Sequence, residues 1–176
     1  QCPYAVEHEV RIDPGQSFGT GSHESTRIAL EFIDRYLSPG DSFCDAGCGS
    51  GVLAIAALKL GAGHALAFDF EQESCLDSVR NFAGNNTPAL LLRSGTAPVA
   101  SRFDVVAANI LGHILLTIAD HLTEMVKPGG ILVLSGLTDK EDESFLPRFF
   151  GTNDRFERLE TSRQSDWWGG AWRKAQ

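Results

Sequence analysis

The sequence predicts an α/β fold in which a mostly parallel sheet is covered by helices on both faces. Short apolar runs alternate with segments whose apolar residues recur at helical spacing. Runs that are apolar on both faces and joined by helices are typical of βαβ crossovers, because a parallel sheet buries both of its faces. A glycine-dense turn after the first run favours the same fold class.

The first predicted helix carries apolar residues on one face, namely Ala29, Phe32, Ile33, Tyr36 and Leu37. We expect Ser22 or Ser25 as its N-cap and the pair Pro39-Gly40 as its end, since these residue types start and stop helices.

Seven strands are expected, at residues 42–46, 64–70, 89–92, 103–108, 131–134, 156–162 and 172–174. Helices are expected after the glycine turn as far as Leu60, through Leu76, Val79 and Phe82, and over residues 111–125. The last two strands flank the pair Gly169-Gly170, which predicts an antiparallel hairpin with a Gly-Gly turn at one sheet edge.

Length and composition place bounds on the domain organisation. The chain has 176 residues, of which 43% are hydrophobic and 22% charged, so we expect one globular domain over 1–176 rather than a disordered or coiled-coil protein. The apolar runs fall far short of the ~20 residues that a membrane span needs. No secretory signal opens the chain, and because it begins with Gln1 rather than Met we expect a processed product or a piece of a longer protein.

Charge and cysteine content narrow the partners. A net charge of −8 repels phosphate backbones, so we expect no nucleic-acid partner and favour a basic protein or a small molecule. The short apolar runs predict no membrane partner. Cys2, Cys44, Cys48 and Cys75 contain no C-x-x-C pair. We therefore expect reduced thiols in a cytoplasmic protein and no metal site.

The most informative segment is the turn at residues 43–51, which reads FCDAGCGSG. Gly47, Gly49 and Gly51 follow a strand and precede a helix, where glycines let the backbone turn sharply and lie against a nucleotide-like cofactor. The spacing is G-x-G-x-G, which differs from the dinucleotide fingerprint and from the phosphate-binding loop. A tight turn that binds nothing is the alternative.

An acidic residue supports the cofactor interpretation. Asp69 ends the second strand, where a carboxylate can accept both hydroxyls of a ribose. Taken alone it would be a surface acid at a strand end. Together with the glycine turn it predicts a cofactor site at the carboxyl edge of the sheet.

Several motifs carry a resemblance to a known class. DAGCGSG from Asp45, FDFE from Phe68, FDVVAANI from Phe103 and VKPGG from Val126 resemble class I S-adenosylmethionine-dependent methyltransferases. DPG from Asp13, FGTGSHEST from Phe18 and GVLAIAALKLGA from Gly51 resemble more closely the PrmA family, whose members methylate lysine and terminal amines of a large-subunit ribosomal protein. The resemblance covers about residues 12–136.

The resemblance implies a Rossmann-like, doubly wound sheet, S-adenosyl-L-methionine as cofactor and S-adenosyl-L-homocysteine as product. It implies that residues 1–24 cover the cofactor. The implied cofactor-binding residues are Phe18, Gly19, Thr20, Thr26, Asp45, Gly47, Gly49, Asp69 and Asn109.

The sequence departs from the family in three places. The family carries an N-terminal recognition domain, for which a chain of this length has no room. Ser25 stands where the family has threonine, and Asp166-Trp167-Trp168 stands where it tends to have an acidic residue, Trp and Cys. The last difference concerns the rim that would face the substrate.

Asn109 is the candidate catalytic residue. Its amide oxygen, at the end of the fourth strand, could accept a hydrogen bond from an amine and aim the lone pair at the methyl group, in a reaction where positioning supplies most of the acceleration. Our leading interpretation is methylation of a protein amine, a ribosomal lysine. A small-molecule amine and a non-catalytic cofactor-binding domain remain alternatives. His23, His113, His121 and Cys48 receive no catalytic role.

Overall fold

The computed structural model describes residues 9–13, 15, 19, 21–96, 102–138, 142–151 and 155–176. The predicted site residues Phe18 and Thr20 lie outside these ranges.

The sheet confirms the predicted fold class. Its strands are β1 (Ser42–Ala46), β2 (His64–Asp69), β3 (Leu90–Arg93), β4 (Phe103–Asn109), β5 (Val126–Thr138), β6 (Phe156–Gln164) and β7 (Trp167–Lys174). They lie in the order β3-β2-β1-β4-β5-β7-β6. The first five are parallel, whereas β7 runs antiparallel to β5 and β6. Strand order reverses between β1 and β4, and such a switch opens a crevice at the carboxyl ends of the strands.

Six helices are described: α1 (Glu24–Tyr36), α2 (Val52–Lys59), α3 (Gln72–Asn85), α4 (Gly112–Thr117), α5 (Ala119–Met125) and α6 (Asp142–Phe150). They bury both faces of the sheet. Along β5, Ile131 and Val133 join a core with α1 and α2, while Leu132 and Leu134 join a second core with α5 and α6. Side chains alternate between faces along a strand, so one apolar run fills both cores.

Three helical predictions need correction. The N-cap of α1 is His23, whose side chain accepts a hydrogen bond from the Ser25 backbone N–H, so neither Ser22 nor Ser25 has that role. The imidazole nitrogen replaces the usual hydroxyl acceptor. The helix predicted over 111–125 is broken at Ile118, and α6 was not predicted, in part because Pro147 lies within it.

The turn of the C-terminal hairpin was also misplaced. It lies at residues 165–166, with Ser165 at φ +53°, whereas Gly169 and Gly170 lie within β7. A Cβ at Gly169 would come 2.5 Å from the Leu134 carbonyl oxygen and 2.9 Å from Ile28 Cγ2. Gly169 therefore lets α1 and β5 pack close to β7.

The burial of α3 differs from the prediction. Leu76 and Val79 are 44% and 54% exposed, while Phe82 is buried. The rest of the buried face is polar and consists of Ser74, Asp77, Ser78, Asn81 and Asn85. The apolar spacing predicted the wrong buried face, because the face that is buried packs against backbone of the glycine turn and of the N-terminal segment. Its polar side chains form hydrogen bonds with that backbone.

Candidate active site

The glycine turn links β1 to α2 and is hydrogen-bonded to the end of β2. Gly47, Gly49 and Gly51 have φ of +69°, +52° and +81°, a region that favours glycine. The N–H groups of Gly47 and Cys48 both donate to the Phe68 carbonyl, at 2.9 and 3.0 Å. A Cβ at Gly47 would come 3.2 Å from Ile110 Cγ2. The turn is therefore tight, and little room is left for a side chain at residue 47 beside Ile110.

Asp45 lies beneath this turn. Its Oδ2 accepts a hydrogen bond from the Ala54 N–H at 3.1 Å, and Oδ1 is buried without a hydrogen-bond partner in the described part of the chain. Burial raises the pKa of Asp45 to about 7, and the nearby charge of Asp69 contributes. Asp45 thus supports the start of α2 from inside the site.

Asp69 shapes the turn from the end of β2. Its Oδ2 accepts from the Gly49 N–H and its Oδ1 from the Glu71 N–H, both at 2.9 Å. Each carboxylate oxygen keeps a further lone pair, so Asp69 can still accept hydroxyl donors.

The buried polar face of α3 holds the outer side of the turn. Ser78 Oγ donates to the Gly49 carbonyl at 2.8 Å and Asn81 Nδ2 to the Ser50 carbonyl at 2.9 Å. Sequence reasoning missed both residues. The signal available was a polar pair at i and i+3 on a face otherwise assigned as apolar.

The same face binds the segment before α1. The Arg11 N–H donates to Asn85 Oδ1 at 2.9 Å, and Asn85 Nδ2 donates back to the Arg11 carbonyl at 2.6 Å. The Asp13 N–H donates to Asn81 Oδ1 at 3.0 Å. Asn81 therefore contacts both the N-terminal segment and the glycine turn.

Gly19 brings that segment against the turn. Its carbonyl accepts a hydrogen bond from Ser50 Oγ, and its φ is +102°. A Cβ there would come 2.9 Å from Ser50 Oγ, so only glycine fits this approach.

Asn109 ends β4 and contacts α1. Its Nδ2 donates to Thr26 Oγ1 at 3.1 Å, joining residues 83 apart in sequence, and Thr26 is fully buried. Asn109 Oδ1 is buried and has no hydrogen-bond partner among the described residues. Beside this pair, Ser135 Oγ donates to the Ser25 carbonyl at 2.7 Å, so α1 is attached to the ends of β4 and β5.

Aromatic contacts border the same sheet edge. The His23 ring lies edge-on to Trp167, with centroids 4.8 Å apart, and His23 Nδ1 lies 2.9 Å from Ser25 Oγ. Cys48 is a packed thiol, as expected: its Sγ is 3.3 Å from Ser78 Oγ, and burial raises its pKa. Over the described ranges, no three His, Cys, Asp or Glu side chains form a metal-binding group.

These groups suit a nucleoside cofactor and an amine. The turn admits close backbone approach, Asp69 can accept ribose hydroxyls, and the Asn109 amide oxygen lacks a donor. A seven-stranded sheet of this order, with a glycine turn after β1 and an acid after β2, defines a Rossmann-like class I methyltransferase domain.

Comparison with known proteins identifies the family. Residues 3–174 match the family described as ribosomal protein L11 methyltransferase (PrmA), and the chain belongs to this family. The ribosomal protein L11 methyltransferase of Neisseria meningitidis serogroup B is 46% identical over 143 residues, which cover 81% of this chain and 48% of that protein. The Xanthomonas oryzae pv. oryzae protein of the same name is 40% identical over 164 residues, 90% of this chain and 51% of that protein. The chain thus spans about half the length of these relatives.

A solved structure agrees with the family. The ribosomal protein L11 methylase of Lactobacillus delbrueckii subsp. bulgaricus superposes with a TM-score of 0.90 at 31% identity, over 100% of this chain and 90% of that chain. Within the described part of the chain, the helices are too short or too polar to cross a membrane.

Proposed function

We propose that this domain is an S-adenosylmethionine-dependent N-methyltransferase acting on a protein amine, a lysine of ribosomal protein L11. The observation that carries the proposal is the buried, unpartnered amide oxygen of Asn109 at the switch between β1 and β4. The names of the relatives favour a protein amine over a small-molecule amine or a non-catalytic domain. A ribosomal acceptor would place the protein in the cytoplasm.

The cofactor would lie across the glycine turn. When bound, it supplies a methyl group already activated on a sulfonium. Gly47 and Gly49 would present backbone to it, Asp69 would accept the ribose hydroxyls, and Asp45 would support the turn from below. We propose Phe18, Gly19 and Thr20 as further contacts. Thr26, which the resemblance also implies as a contact, is fully buried in α1, and a different role is argued for it below.

The N-terminal segment, residues 1–24, would cover the cofactor as part of the same domain. Two contacts support this proposal: residues 11–13 lie on the polar face of α3, and the Gly19 carbonyl accepts a hydrogen bond from Ser50. Closure over the turn would exclude water from the reacting atoms.

Asn109 would receive the acceptor amine. Its amide oxygen accepts an N–H of the neutral amine and so directs the nitrogen lone pair towards the methyl group. A strong general base is not needed, because positioning and desolvation provide most of the acceleration for a displacement at an activated methyl.

The test is transfer of labelled methyl from S-adenosylmethionine to purified L11 and, separately, to a cell lysate. Label on L11 supports the proposal. Label only on small metabolites would favour the small-molecule alternative, and no label despite S-adenosylhomocysteine binding by calorimetry would favour a non-catalytic domain. A second arm fuses to Gln1 the N-terminal recognition domain that the family resemblance implies, since remote contacts can support turnover.

A further inference from the structure

We propose that Thr26 is a positioning residue for Asn109: its hydroxyl oxygen holds the amide nitrogen, so that the amide oxygen is left for the methyl-accepting amine. This inference rests on the proposed function, and it gives Thr26 a role other than direct contact with the cofactor.

The orientation of an asparagine amide depends on its partners. Thr26 Oγ1 accepts the hydrogen bond from Asn109 Nδ2 at 3.1 Å. The oxygen of a threonine hydroxyl carries lone pairs that can accept an amide N–H. With Nδ2 held in this contact, the amide oxygen of Asn109 lies on the side away from Thr26 Oγ1 and is left without a partner among the described residues.

Thr26 is a rigid point of attachment. It is fully buried in the first turn of α1, so close packing limits the movement of its side chain. The neighbouring Ser25 carbonyl accepts from Ser135 Oγ at 2.7 Å, and His23 caps the helix. Because β5 and the cap fix this turn, the hydroxyl cannot follow Asn109 if the amide rotates.

The free oxygen of Asn109 points to a donor ligand. A buried acceptor without a partner is unfavourable in a folded protein and is typically satisfied by a bound group. An amine nitrogen supplies an N–H for that oxygen while keeping its lone pair for the methyl group. With the amide rotated, two N–H donors would face the amine and compete for that lone pair.

The first test compares Thr26→Val, which keeps the shape and removes the hydroxyl, with Thr26→Ser, which keeps the hydroxyl. We expect Thr26→Val to lower the single-turnover rate on L11 at saturating cofactor by about 10–30-fold, with S-adenosylhomocysteine affinity changed less than about 3-fold. Thr26→Ser should stay within about 3-fold of the parent in both. An affinity loss as large as the rate loss would overturn the inference and place Thr26 in the cofactor pocket.

A double-mutant cycle tests whether Thr26 acts through Asn109. In an Asn109→Ala background, Thr26→Val should cause no further loss of rate, because the group that it positions is gone. If the rate losses of the two single variants multiply in the double variant, the inference is overturned.

A spectroscopic measurement separates this inference from the proposed function. In ¹⁵N-labelled protein, the side-chain amide resonances of Asn109, assigned with Asn109→Ala, should shift in Thr26→Val and return towards the parent position in Thr26→Ser. Unchanged resonances in Thr26→Val would overturn the inference. If the parent does not methylate L11 while these resonances behave as expected, the proposed function fails and the Thr26–Asn109 contact stands.

Discussion

The two ends of β1 and β4 differ in how completely their polar groups are hydrogen-bonded. At the amino ends, Asp104 Oδ2 accepts from the Ser42 N–H and from Lys127 Nζ, both at 2.8 Å, and the Asp104 N–H donates to Ser42 Oγ at 3.0 Å. At the carboxyl ends, Asp45 Oδ1 and Asn109 Oδ1 are buried without partners in the described residues.

The acidic groups at the two ends titrate in opposite directions. Burial by itself would raise the pKa of Asp104, but hydrogen bonds from Lys127 and Ser42 outweigh it and lower the pKa to about 2. At the other end, burial raises the pKa of Asp45 to about 7. One pair of strands therefore carries a hydrogen-bonded cluster at its amino ends, which stabilises the fold. At its carboxyl ends it carries buried oxygens without partners, which suit a ligand.

The largest expected effect is on the methylation rate, at the carboxyl ends of the strands. Asn109→Ala should lower the single-turnover rate by ~100-fold at saturating cofactor, because the amine is no longer oriented, with a smaller loss of cofactor affinity. Rapid-quench methylation and calorimetry measure the two. A normal rate combined with an affinity loss as large as that of Asp69→Ala would assign Asn109 to the cofactor pocket alone.

The next effect is on cofactor affinity. Asp69→Ala should weaken S-adenosylhomocysteine binding by roughly 10–150-fold, or about 1.5–3 kcal/mol, because it removes a charged acceptor and loosens the Gly49 turn. Calorimetry checks this, with Glu73→Ala, an exposed acid on α3, as the control that should leave binding unchanged. Equal losses in the two variants would mean that general negative charge, rather than Asp69 itself, holds the cofactor.

Asp45 is expected to make the folded protein less stable as the pH rises. Its pKa is higher in the folded state than in the unfolded chain, so between about pH 4 and 7 the folded protein keeps a proton that the unfolded chain loses, and stability falls as pH rises. Asp45→Asn should remove that decline, so that the unfolding free energies of parent and variant diverge by about 1–2 kcal/mol between pH 5 and 7. Urea denaturation across this range is the measurement, and parallel curves would contradict it.

The smallest effect is expected from Asp104, which should make the folded protein less stable as the pH falls. Its lowered pKa contributes stability that is present above about pH 4 and is lost as the pH falls towards 2. Asp104→Asn should cost about 1 kcal/mol at pH 7, discounted because solvent screens this partly exposed pair, and the difference from the parent should shrink in acid. Cofactor affinity should not change; a weakened affinity would show that the two ends of the strands are coupled.

Much of the fold and part of the site could be predicted from the sequence. Apolar runs indicated the parallel strands, and the glycine spacing with Asp69 and Asn109 at strand ends predicted a cofactor site at the carboxyl edge of the sheet, the edge at which the strand order reverses. These features are local, because an apolar run and a glycine turn report their own surroundings.

The contacts that complete the site depend on the tertiary structure. The Thr26–Asn109 hydrogen bond joins residues 83 apart, and the polar face of α3 is buried only because the glycine turn and residues 11–13 lie against it. The hairpin turns at Ser165 and not at the predicted Gly169. Gly169 lies within β7, where the absence of a side chain allows α1 and β5 to pack closely. Composition and periodicity by themselves indicated most of the strands and helices, but not α6 or the break at Ile118. Packing decided which side chains meet across elements, because the partner of a buried polar group is a property of the assembled fold and not of its neighbours along the chain.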